Sequence, residues 1–157
     1  MDKLIDKLRE AVFTPSLQAQ QAKENWFKNY PQEQGWKQNP DGSYDVKGDV
    51  IISRKSLTKI PWKFRRVGGS FFCSNNQLTT LEGAPQRVGG IFYCNRNQLT
   101  TLEGAPKRVG VSFYCGNNQL TSLKGAPQHV GGNFFCDNNP VPSQRLKTTV
   151  KRSYLQK

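Results

Sequence analysis

The stretch FFCSNNQLTTLEGAP (71–85) returns 21 residues later as FYCNRNQLTTLEGAP (92–106), and again as FYCGNNQLTSLKGAP (113–127). A last, partial copy reads FFCDNNPVPS (134–143). A unit this short cannot bury a core alone, so the copies must stack on one another as a solenoid. Fixed columns mark the period. They are Cys73, Cys94, Cys115 and Cys136; Asn76, Asn97, Asn118 and Asn139; Leu78, Leu99, Leu120 and Val141; and Val88, Val109 and Val130. One period earlier lies a degenerate copy with Val50, Ile52, Leu57, Ile60 and Val67 in the apolar columns. Lys55 stands there in the Asn column and Phe64 in the Pro column, as expected of an atypical terminal repeat.

Each copy has room for one strand, one turn and one extended return. Phe-x-Cys gives strand alternation, with two inward residues around an outward one. Gly-Ala-Pro bars a helix on the return, because proline lacks a donor and restricts the residue before it. Stacking therefore predicts about five parallel strands, near 50–52, 71–73, 92–94, 113–115 and 134–136. Ahead of them, DKLIDKLREAVF and TPSLQAQQAKENWFKNY carry apolar residues at helical spacing, predicting a helical cap over 1–35. Asn39–Ser43 reads NPDGS, a turn signal that predicts a hairpin lead-in over 36–49. The solenoid spans 50–142, and 143–157 reads as a short basic helix. Both attachments are placed to cover open strand edges.

Net charge is +12, and its distribution matters more than its size. Residues 50–65 carry five basic side chains and no acidic one, and 141–157 do the same. Two local basic patches flank the repeats, in place of one continuous groove. No apolar run approaches the roughly 18 residues of a membrane span, and the N-terminus does not read as a secretory signal. The expectation is a cytoplasmic protein without a membrane partner.

FYCNRNQLTTLEGAP, with two inward residues, then Asn, then Leu and Leu, resembles a leucine-rich repeat. The short period and Pro-containing return are similar to the class in bacterial secreted effectors. Cys before Asn, with GAP and VGG, resembles small repeat proteins of bacteriophages and some bacteria. The resemblance covers about 39–140. It implies an α+β repeat solenoid, a right-handed superhelix whose concave parallel sheet binds partners, in a bacterial host cell or a virion. It implies no activity. The effectors' separate ubiquitin-ligase domain, with its catalytic Cys, has no counterpart here.

Four columns are candidates for function. Cys73, Cys94, Cys115 and Cys136 are spaced by 21, whereas zinc sites want Cys pairs two to four apart. Parallel Cβ vectors aim them poorly for disulfides, and His129, the only histidine, lies on the return path, so no base is at hand. They read as small inward apolar residues. The Asn column reads as a ladder satisfying turn backbone. Between the inward residues, Ile51, Phe72, Tyr93, Tyr114 and Phe135 should face outward. Ile91 and Asn95 stand beside this row, together with Ser70, Ser112 and Asn133 on one border and Ser74, Gly116 and Asp137 on the other. Such a row is a protein-binding patch, a ladder of mutual support, or a face covered by the N-terminal helices.

Arg66, Arg87, Arg108 and His129 form the fourth column, with Arg65 and Lys107 beside it. Arg145, Lys147, Lys151 and Arg152 lie in the basic tail. These positions are candidates for nucleic acid or an acidic partner, against ordinary solvated edge charge. No catalytic, metal or cofactor signature is present in the sequence. The expected function is non-catalytic binding of another protein. The alternatives are a structural subunit of a phage particle or other assembly, and nucleic-acid binding through the basic blocks.

Overall fold

The computed structural model describes residues 21, 24–26, 28–32 and 34–141. The chain divides into two compact units, Met1–Trp36 and Lys37–Lys157. The first predicted helix and the basic tail lie outside the described residues.

In the first unit, residues 24–26 and 28–32 are helical. Gly35, at φ +65°, ends the helix. The Gly35 N–H donates to the Gln32 carbonyl at 3.0 Å and the Trp36 N–H to the Pro31 carbonyl at 2.9 Å, the paired bonds of a Schellman stop. The Tyr30 and Trp36 rings meet edge-on at 5.3 Å across that stop.

The second unit opens on β1 (Lys37–Gln38) and β2 (Tyr44–Val46), paired antiparallel around the Pro40-Asp41-Gly42 turn. Gly42 takes φ +78°, and the Asp41 carboxylate accepts both the N–H and the hydroxyl of Ser43. Those two bonds hold the Asp41 carboxyl below the usual carboxylate range.

From there the chain winds as a parallel β-solenoid. One sheet holds β3 (Val50–Ile51), β5 (Phe71–Phe72), β7 (Phe92–Tyr93), β9 (Phe113–Tyr114) and β11 (Phe134–Phe135), all parallel and paired at a register of one repeat. These are the five strands that the period predicts. The return path differs from expectation. The sequence predicts only that it is extended, yet β4 (Phe64–Val67), β6 (Arg87–Val88), β8 (Arg108–Val109) and β10 (His129–Val130) form a second parallel sheet, which β2 and β1 extend to six strands. The cause is stacking. Once one side of each coil repeats at ~4.8 Å, the other side meets its own copies at the same spacing and pairs with them.

Between the sheets each of the three full copies buries one Phe, one Cys, two Leu and one Val. Phe71, Phe92, Phe113 and Phe134 stack face to face at 5.1–5.4 Å. The degenerate coil has Val50 in that column, and Phe64, from the Pro column, packs edge-on against Phe71 at 5.2 Å instead.

Two devices close the full copies. At Leu81-Glu82-Gly83-Ala84 the Ala84 N–H donates to the Leu81 carbonyl at 3.0 Å with Gly83 at φ +90°, a type II turn. Gly104 and Gly125 repeat it at +87° and +85°. The second device is the Asn ladder. Asn97 donates through Nδ2 to the carbonyls of Cys94, on its own coil, and Cys73, on the coil before, at 3.0 and 3.1 Å. Its Oδ1 accepts the Leu78 N–H at 3.1 Å. Asn76, Asn118 and Asn139 make the same bonds. Each amide thus satisfies buried backbone on two coils.

Candidate functional site

Strand alternation turns Ile51, Phe72, Tyr93, Tyr114 and Phe135 to the outer face of the five-stranded sheet. Ile51, at the first coil, is 57% exposed. The other four are half-buried, because each ring lies against the next. Centroids are 6.4 Å apart for Phe72–Tyr93, 5.0 Å for Tyr93–Tyr114 and 4.6 Å for Tyr114–Phe135, the last pair stacked. The row is at once a mutual support and an outward apolar strip.

Its borders are more committed than the residue types imply. Ser74 shares a hydrogen bond with Ser53 at 3.0 Å, and Asn95 Oδ1 accepts the Gly116 N–H at 3.1 Å. On the other border the Ser70 hydroxyl accepts the Ile91 N–H and the Ser112 hydroxyl accepts the Asn133 N–H, at 3.0 and 3.1 Å. Ile91 is half-buried beside the strip.

A further column completes one rim. Arg54, Asn75, Arg96, Asn117 and Asn138 all take φ between +53° and +57°. This left-handed bend swings the chain out of the strand. With Ile51, Phe72 and Tyr93, the first four line an open groove of about 600 Å³. The sequence reading missed this rim. The available signal was Asn before the ladder Asn in three of four copies, since Asn tolerates that backbone and Arg does so rarely.

On the outer face of the other sheet, Arg66, Arg87, Arg108 and His129 are direct cross-strand neighbours. All four are exposed and line a shallow groove with Val67, Val88, Val109 and the glycines that follow. Arg65 does not join them. It is the extra residue of the irregular β2–β4 pairing and forms an ion pair with Asp45. The Arg65 guanidinium holds the Asp45 carboxyl below its usual range. Arg145, Lys147, Lys151 and Arg152 fall outside the described residues.

The cysteines lie inside. Cys73, Cys94 and Cys115 are fully buried, and burial pushes their thiols above the ordinary value, so they stay protonated. The Cys94 and Cys115 thiols donate to the Tyr114 and Phe135 carbonyls at 3.3 and 3.4 Å. Cys136 is 8% exposed. None of the four is in a disulfide. Among the described residues no three His, Cys, Asp or Glu side chains are grouped to hold a metal, and no helix is long and apolar enough to cross a membrane.

Comparison with protein families, with curated proteins and with solved structures finds no match to this chain.

Proposed function

We propose that this chain is a non-catalytic binding module of leucine-rich-repeat type that recognises another protein through the outer face of its five-stranded sheet. One observation carries the reading. Phe72, Tyr93, Tyr114 and Phe135 form an unbroken aromatic strip, half-buried yet outward, beside a groove rimmed by exposed Arg54, Arg96 and Asn117. Aromatic and arginine side chains supply most of the energy of protein–protein contacts, and here both sit on a rigid ladder. Little rotamer freedom remains to be lost on binding, because each ring is already held by its neighbours. The rim's guanidiniums fit a partner with a carboxylate or an exposed carbonyl at the edge of an apolar patch.

The test is capture of a partner from the native host by the immobilised chain. Tyr93→Ser with Tyr114→Ser removes the middle of the strip but no inward side chain. The double variant is expected to keep the wild-type circular dichroism spectrum and to lose at least tenfold in capture, the scale of a lost hot spot. Equal capture by the folded variant refutes the reading.

A further inference from the structure

We infer that the row Arg66–Arg87–Arg108, continued by His129, binds the phosphate backbone of a single nucleic-acid strand without reading its bases. The inference is independent of the aromatic face, which lies on the other sheet.

Like charges directly opposite on neighbouring strands destabilise a sheet. Here three guanidiniums stand in register on three consecutive coils, ~4.8 Å apart. Among the described residues no carboxylate forms an ion pair with any of them. The comparison inside the same sheet is Arg65, one residue away, which has Asp45. Asp45, in register with Arg66 on β2, offsets charge at that end of the row, which leaves Arg87 and Arg108 without a paired carboxylate among the described residues.

Its geometry favours phosphate over an acidic peptide. Carboxylates on one face of an extended peptide recur every two residues, at about 6.8 Å, and fall out of step with the coils after two contacts. A flexible single strand can adjust its phosphate spacing, and each phosphate accepts the two parallel bonds of a guanidinium fork. Apart from the His129 ring at its end, the groove beside the row is made of valines and glycine backbone, with no other aromatic ring on which a base could stack and no side-chain amide to read its edge. Contact is thus confined to the backbone, and binding is indifferent to sequence.

The probe is a fluorescently labelled oligothymidylate, followed by anisotropy across a salt series starting near 50 mM. Wild type is expected to bind with an affinity that falls steeply as salt rises. Arg87→Gln with Arg108→Gln removes two phosphate contacts. It should weaken binding at low salt by roughly tenfold or more and reduce the slope of log K against log salt by about 1.4. Arg87→Lys with Arg108→Lys should retain most of that slope. Both variants keep the inward side chains, and circular dichroism checks that they fold. An absence of binding at low salt overturns the inference. So does an unchanged slope in the glutamine variant, which would assign binding to the basic segments outside the row. Tighter binding of polyglutamate than of the oligonucleotide overturns it in favour of an acidic protein partner.

Discussion

Replacing Asn97 with leucine is expected to lower the free energy of unfolding by about 3 to 4 kcal/mol, read as a lower urea midpoint with an unchanged slope. The side chain is nearly the same size, so packing contributes little to the loss. What goes is the ladder. The Leu78 N–H loses its acceptor, and the Cys73 and Cys94 carbonyls each lose one of two amide donors. An orphaned buried donor costs about 1–3 kcal/mol, and each lost carbonyl bond adds about 0.5–1.5. Neighbouring Gln98 is exposed, and Gln98→Leu should change stability by less than about 0.5 kcal/mol. A loss at Asn97 no larger than that at Gln98 contradicts the ladder's role.

Gly110→Ala is expected to destabilise by about 3 kcal/mol, although alanine replaces glycine harmlessly at many sites. The cause is the closeness of the coils. A Cβ on Gly110 would overlap the Gly89 carbonyl oxygen, while the Gly110 N–H donates to the Val88 carbonyl at 2.9 Å. Room for the methyl group comes only by parting the coils and breaking that bond. Gly68, Gly89 and Gly131 meet the coil before them in the same way. The first member of the column is Lys47, whose N-terminal position in the stack leaves it no earlier coil to meet. Gly48 has nothing within 4 Å of its Cβ direction, so Gly48→Ala should be neutral or mildly stabilising. Urea midpoints of the two variants separate close approach from a general demand for glycine at this corner. Equal midpoints would remove the explanation.

The period made much of this fold legible. A 21-residue repeat with Phe-x-Cys alternation leaves few options besides parallel strands in register, and the Asn column needs buried carbonyls of the kind it meets. The second sheet was not legible. Arg-Val and His-Val are too short to show alternation and follow a Gly-Ala-Pro turn, and their pairing comes from coil stacking rather than from strand propensity. Phe64 reads in the sequence only as the atypical residue of the Pro column in a terminal repeat, whereas it fills the place beside Phe71 that Val50 leaves. The outward position of Phe72 and its equivalents followed from period two, but their half-burial depends on ring orientations that no periodicity contains. The arginine column was visible as a column. Its direct opposition on paired strands required the second sheet.

Recognition through the aromatic strip is tested most directly by placing a photo-cross-linking amino acid in the chain and irradiating it with its captured partner. At position 93 or 114 the partner should be cross-linked in high yield. At exposed Thr100 or Thr121, on the turn away from the strip, it should be cross-linked little or not at all. Cross-links from the turn positions, with none from 93 and 114, would contradict recognition by this face.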